Sequence, residues 1–304
     1  MMRNVLFLCC LVGCTQAPPA VDTQVVSTNG ADGHLVLERL ESRIFGNTRT
    51  VRVWLPPGYH DPLNASRVYP TLYLNDGQNI FDAETSFNQM EWRVDEIASD
   101  LISDGRIRPV IIVGIDNGGR EARAKEYLPY PDAFLTPPEP DPQGARYADF
   151  LEREVIPLIE TRYRASHSRS DRVLGGSSYG ALVTAHVVIS KPSLFAAVLL
   201  ESPSFYVDDN HVLRDAARAG IQLEKAYLGV GTNELSLAGC PDHPGNIEAV
   251  DGVNQMAALF RRAGLAEQNG RLFVSVDRCA VHNELAWSKR FPQALSFLFS
   301  AELH

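Results

Sequence analysis

The chain has 304 residues, an apolar share of 45% and a formal net charge of −9, from 28 basic against 37 acidic side chains. That length suits one large α/β domain, and the apolar share suffices to bury a sizeable core. An acidic balance without a run of lysines or arginines would repel nucleic acid, so that class of partner is set aside.

The N-terminus reads as an export signal. Arg3 precedes the apolar run from Val5 to Leu11, which is short of the ~20 residues that a membrane-spanning helix needs but suits a signal h-region. Leu11-Val12-Gly13-Cys14 resembles a bacterial lipobox, whose cysteine is lipidated and becomes the first residue after cleavage. A plain secretory signal cut nearby is the alternative. Residues 14–32 contain Pro, Thr, Ser and Gly without apolar periodicity, as a tether would. These features predict a signal over 1–13, a lipidated Cys14, a flexible tether over 14–32 and one folded domain over 33–304. The protein is then expected in the cell envelope, meeting the membrane only through its lipid.

Residues 35–40 and 50–55 read as strands, the second with Val51, Val53 and Leu55 on one face and a stop at Pro56-Pro57-Gly58. A short strand over 69–74 runs into Asn75-Asp76-Gly77-Gln78, and 92–103 has helical spacing. The unbroken β-branched run over 110–115 is typical of parallel strands covered on both faces. Residues 136–144 are proline-dense and form a loop, and 147–163 reads as a helix with Pro157 inside it. Strands at 172–175, 195–200, 226–231 and 272–276 then alternate with helices at 179–190, 209–219, 253–263 and 291–299. Such alternation implies right-handed crossovers and a mostly parallel central sheet with helices on both faces.

Gly176-Ser177-Ser178-Tyr179-Gly180 matches G-x-S-x-G and falls between a predicted strand and a predicted helix, the setting that this motif requires. A serine there sits on a strained turn with its hydroxyl exposed. The helix dipole and the amide of Tyr179 can stabilise an oxyanion beside it. A hydroxyl is a weak nucleophile until a base takes its proton. In α/β-hydrolases the chain order is Ser, acid, His, which places the base beyond the last strand. Among eight histidines His282 alone follows that strand directly; His304 is the final residue, and His186 lies within the helix after Ser178. Glu234, just past strand 226–231, is the candidate acid, accepting the second imidazole N–H. Asp242, Asp277 and Glu284 are rivals from nearby loops, and a Ser–His dyad is a further possibility. The amide of Gln78 is the expected second oxyanion donor, with Gly77 allowing close backbone approach.

Of five cysteines, Cys9, Cys10 and Cys14 belong to the leader. Cys240 and Cys279 remain, on the loops expected to carry acid and base, and form a candidate disulfide in an exported protein. Without a CxxC, HExxH or His/Cys cluster, neither a metal site nor a cofactor is expected.

Several stretches resemble the putative-esterase family of α/β-hydrolases, which includes esterase D, feruloyl esterases and enterochelin-type siderophore esterases. They are VWLPPGY at 53–59, YPTLYLNDGQNIF at 69–81, VIIVGIDN at 110–117 and EYLPY at 126–130. GGSSYGA at 175–181, ESPSF at 201–205, GTNE at 231–234 and HNELAW at 282–287 continue the match over nearly the whole chain past the tether. Asn75 departs from a frequent histidine, and Ala181 from a common glycine. The resemblance implies an α/β-hydrolase fold and hydrolysis of a small-molecule, siderophore or glycan-linked ester through an acyl-enzyme. Arg120, Glu126, Tyr127 and Phe205 are expected to wall the substrate pocket. Acyl transfer on the same fold, and an inactive surface binding module, are the alternative readings.

Overall fold

The computed structural model describes the backbone of 21–26 and residues 33–301, save 134 and 136. The expected signal, Cys14, the rest of the expected tether and His304 lie outside the described residues.

Among the described residues nine strands form one sheet in the order β1-β2-β3-β5-β4-β6-β7-β8-β9. β1 (Val21–Val26), β2 (His34–Ser42) and β3 (Asn47–Leu55) make an antiparallel meander. β4 (Thr71–Asn75) and β5 (Ile111–Ile115) pair in parallel, and β3 joins β5 antiparallel. β6 (Arg172–Ser177), β7 (Ala197–Glu201), β8 (Lys225–Asn233) and β9 (Leu272–Val281) then extend the parallel half from β4 outward. Leu72, Tyr73, Ile111, Ile112, Leu199, Leu200 and Leu228 are wholly buried. Consecutive residues of a strand face opposite sides, so both faces of the parallel half must be covered.

Among the described residues eight helices supply the cover: α1 (Val94–Ser103), α2 (Ala122–Tyr127), α3 (Tyr147–Phe150), α4 (Ile156–Arg162), α5 (Tyr179–Ser190), α6 (Val207–Arg218), α7 (Pro244–Arg262) and α8 (Glu284–Phe299). α1 and α8 pack one face through Ala98, Leu101, Phe291 and Leu295. The other face is packed by Tyr127, Phe150, Leu182, Val212 and Phe260 from α2, α3, α5, α6 and α7. This is the α/β-hydrolase arrangement that the alternating elements imply.

Four local expectations change. Residues 21–26, read as part of a tether, pair with β2 in the register Val21↔Leu40 to Val26↔Leu35; an edge strand needs only a backbone partner, so apolar periodicity does not announce it. The helix expected over 147–163 is interrupted by a π turn at Leu151–Val155. Pro157 thereby falls in the first turn of α4, where its missing N–H costs little. β9 runs on to Val281, and α8 starts at Glu284 because Asn283 caps it, its Oδ1 accepting from the amide of Ala286 at 3.0 Å. Finally, α2 lies between residues 115 and 136, where the sequence reading gave no element.

A disulfide joins Cys240, in the segment after β8, to Cys279 in β9, with a Cα separation of 5.3 Å. Its sequence separation is 39 residues, for which loop-closure entropy gives about 4 kcal/mol. The Cys240→Ser/Cys279→Ser double variant should therefore unfold at clearly lower urea than wild type under non-reducing conditions. Coincident urea curves would show that the bond adds nothing.

Candidate active site

β6 ends at Ser177 and α5 begins at Tyr179, so Ser178 makes the whole reversal, at φ 56° and ψ −126°. A side chain in that region costs ~1–3 kcal/mol and persists only when its surroundings impose it. Here the Ser178 amide donates to the carbonyl of Glu201 at 3.0 Å, and the amides of Ala181 and Leu182 return to the Ser178 carbonyl at 3.1 and 3.0 Å. A Cβ at Gly176 would lie 2.8 Å from the carbonyl carbon of Gly180, so strand and helix can close this tightly only on glycine. Asn75 braces the turn from β4. Its Nδ2 donates to the Gly180 carbonyl at 2.9 Å and to Thr184 Oγ1 at 3.0 Å, while its Oδ1 accepts from Tyr147 at 2.7 Å. The residue standing in place of a frequent histidine is thus a buried tie between β4 and α5.

The loop after β4 is bent by Asp76, left-handed at φ 58°. Its amide donates to the Tyr127 hydroxyl at 3.0 Å. Its carboxylate accepts two bonds from Arg123, both at 2.8 Å, and one from Asn117 Nδ2 at 2.6 Å. Gly77 presses on the next strand, where a Cβ would stand 2.4 Å from the carbonyl carbon of Gly114. Gln78 follows, with its carbonyl accepting from Thr85 Oγ1 at 2.8 Å. Neither the Gln78 amide nor the Tyr179 amide donates to a backbone carbonyl among the described residues. Two N–H groups thus stand uncommitted at the C-terminal ends of the neighbouring strands β4 and β6.

At the far side of the sheet, β8 delivers Glu234 and β9 delivers His282, each just past its strand end. A register irregularity between Gly231 and Asn233 brings those ends together. Glu234 Oε2 lies 2.6 Å from His282 Nδ1, and Glu234 Oε1 accepts from the Gly231 amide at 2.6 Å and from Ser202 Oγ at 2.8 Å. Burial pushes this carboxyl up, but the bonds from His282, Gly231 and Ser202 outweigh it and hold it below its ordinary 4.5. With Nδ1 donating to a carboxylate, Nε2 of a neutral His282 is left as the acceptor.

The rival acids stand elsewhere. Asp277 is 3.7 Å from Arg290, and Glu284 accepts from Asn79 Nδ2 at 3.2 Å with its carboxyl pushed up by burial. Asp242 is exposed.

Ser178 Oγ lies 3.4 Å from Ser204 Oγ, and no hydrogen bond joins it to His282 among the described residues. The linkage runs through β7: the Glu201 carbonyl receives the Ser178 amide, and the next residue, Ser202, donates to Glu234.

Three expected pocket residues are corrected. Glu126 is buried because α2 turns it inward, where Oε1 accepts from Asn47 at 2.6 Å and from Arg49 at 2.9 Å. Tyr127, on the same helix, is fully buried and supports Asp76, while Phe205 is buried against the backbone of Gly252. Arg120 is exposed on the turn before α2. Ser204 stands against the serine, its amide donating to the Ser178 carbonyl at 3.4 Å, and Tyr179 follows the serine in the chain. The Arg123 guanidinium lies over the rings of Tyr127 and Tyr179 at 5.4 and 5.6 Å. Tyr179 donates its phenol to Asp132, and burial and that carboxylate push the phenol's titration up. The sequence reading missed Arg123 and Trp287; only the one-turn spacing of Arg123 and Tyr127 hints that their side chains share a face. Among the described residues, no group of three or more His, Cys, Asp or Glu side chains is placed to hold a metal ion.

A mostly parallel sheet flanked by helices, with a serine on the sharp turn after β6, defines an α/β-hydrolase. Residues 42–298 match the family model described as Putative esterase, and the chain belongs to that family of ester hydrolases. It is 24% identical over 256 residues to the uncharacterized protein YbbA of Bacillus subtilis (strain 168), spanning 84% of this chain and 93% of that one. It is 23% identical over 258 residues to an endo-1,4-beta-xylanase/feruloyl esterase of Xylanibacter ruminicola, covering 84% of this chain but 30% of that protein. Among solved structures, a ferulic acid esterase superposes with a TM-score of 0.62 at 19% identity, over 88% of this chain and 98% of its own. The enterochelin esterase of Shigella flexneri gives 0.65 at 18% identity, over 96% and 61% respectively.

The lowered Glu234 carboxyl has a pH consequence. Its contribution to stability is complete above its unfolded value and is lost as pH falls through the still lower folded value. Measured by urea unfolding, the stability gap between wild type and Glu234→Gln should be widest above pH 4.5 and shrink below it. A gap that widens on acidification would contradict the pairing.

Proposed function

We propose that this chain is a serine ester hydrolase with Ser178 as nucleophile, His282 as general base and acid, and Glu234 as the carboxylate that orients it. The observation that carries this reading is the 2.6 Å contact between Glu234 and His282, taken with a serine held in left-handed backbone at a helix N-terminus. Ser178 Oγ attacks the ester carbonyl while His282 Nε2 takes its proton. The amides of Tyr179 and Gln78 hold the oxyanion of the tetrahedral intermediate. His282 returns the proton to the leaving alkoxide, and water, activated by the same nitrogen, then releases the acid from Ser178. Catalytic hydrogen bonds of this kind tighten in the substrate complex, and substrate would bring Ser178 Oγ and His282 Nε2 into reach of each other. Every step uses side chains and amides of this chain.

Relatives named as feruloyl and siderophore esterases support an ester whose acyl or alcohol part is phenolic, glycan-linked or siderophore-like. The short apolar run and the lipobox-like Cys14 support export to the envelope with the domain held at the membrane by lipid.

Ser178→Ala should lose about 10⁴-fold or more in turnover of short acyl nitrophenyl esters, and His282→Ala about as much, because nucleophile and base act as a unit. A fluorophosphonate probe should label wild type and spare Ser178→Ala; equal labelling of both would overturn the assignment. Mass spectrometry of the membrane fraction should find an N-terminal peptide that starts at a lipid-modified Cys14. A soluble product starting elsewhere would refute the anchor.

A further inference from the structure

Glu234 is held by more than its histidine, and the hydrogen-bond directions around it are fixed by chemistry. Trp287, on α8, is buried, and its indole Nε1 lies 2.9 Å from Ser202 Oγ. An indole N–H can only donate, so the Ser202 hydroxyl must accept it. The single proton of that hydroxyl then goes to Glu234 Oε1, at 2.8 Å. Oε1 also takes the Gly231 amide at 2.6 Å, so two donors occupy one carboxylate oxygen and the other faces His282. These donors fix the plane of the carboxylate, with one oxygen turned to Gly231 and Ser202 and the other to His282. Trp287 also meets the base directly: the His282 ring stands at 83° to the indole with centroids 5.2 Å apart. Ser202 is itself fixed, left-handed at φ 41°, with its amide on the Gly229 carbonyl at 2.7 Å.

We infer that Ser202 and Trp287 form a positioning relay for the hydrolytic site, in which the indole orients the Ser202 hydroxyl and that hydroxyl locks Glu234 to present Oε2 to His282. Neither residue touches the reacting atoms. The inference rests on the reading of Glu234 and His282 as catalytic partners. It adds that α8, the helix following the base, holds acid and base in register through one side chain, by ring contact on one side and N–H donation on the other. Preorganisation of this kind acts on turnover more than on substrate binding.

The test is steady-state hydrolysis of p-nitrophenyl acetate by the full chain as wild type, Ser202→Ala, Trp287→Phe, Glu234→Ala and the Ser202→Ala/Glu234→Ala double variant, each checked for a cooperative melt. Trp287→Phe keeps the ring and removes the N–H. Ser202→Gly, which suits the left-handed backbone, replaces Ser202→Ala if alanine does not fold. Ser202→Ala and Trp287→Phe should each lower kcat about tenfold with KM within about twofold. Ser202→Ala should add nothing on the Glu234→Ala background, because it acts only through that carboxylate. The acid limb of its kcat/KM profile should move in the direction seen for Glu234→Ala. A normal kcat for Ser202→Ala beside an impaired Glu234→Ala overturns the relay, as does the same fold-loss on both backgrounds. A fully active Glu234→Ala overturns the reading of the acid itself, and the relay with it.

Discussion

The close approach of β6 and α5 at Gly176 and Gly180 is the constraint on which the rest of the site depends. No Cβ fits at Gly176, so the chain turns within one residue, and that residue is Ser178 at φ 56°. Everything around the turn serves to hold this costly conformation. Asn75 ties it to β4 and Glu201 to β7, and the buried sheet beneath gives those ties a rigid base. Strain of ~1–3 kcal/mol in one residue is tolerable only because the neighbouring elements over-determine it. In return the hydroxyl stands at a helix N-terminus, where the dipole and a free amide favour a developing negative charge.

A second layer of polar contacts joins the strand ends to one another. Arg290, six residues into α8, donates to Glu201 Oε2 from Nε at 2.9 Å and from Nη2 at 2.7 Å. Burial pushes the Glu201 carboxyl up, against the pull of that guanidinium. A buried ion pair of this kind adds little net stability, but here it fastens α8 to β7, the strand whose last carbonyl receives the Ser178 amide. The helix that carries Trp287 and the strand end that carries Ser202 are therefore anchored to each other twice. Glu234, His282 and Ser178 come from three strand ends, yet they share one hydrogen-bonded frame.

Much of this was legible in the sequence because it follows from periodicity and strand order. Alternating apolar runs and helical stretches required a mostly parallel sheet, and the glycine spacing around Ser178 required a sharp strand-to-helix turn. The contact between His282 and Glu234 follows from their places after the last two strands, and the Cys240–Cys279 bond from the nearness of the same two chain segments. What was not legible depends on partners distant in the chain. α2 shows no apolar stripe because part of its buried face is Glu126, made tolerable there by Arg49 77 residues away. Glu126 and Tyr127 therefore read as polar wall residues rather than as core. Trp287 and Ser202, 85 residues apart, carry no local signal of their contact. β1 escaped for a different reason: an edge strand of mixed polarity is specified by its neighbour's backbone and by little in its own side chains.

The central claim is that the ester carbonyl is attacked by Ser178 and that an acyl group rests there before water removes it. Rapid acid quench during turnover of a nitrophenyl ester, followed by proteolysis and mass spectrometry, reads this directly. The account predicts that the acyl mass appears on the peptide containing Ser178 and on Ser178 itself, and grows when a slowly deacylating ester is used. Sustained turnover with no adduct on Ser178, or with the acyl group on another residue, would contradict it.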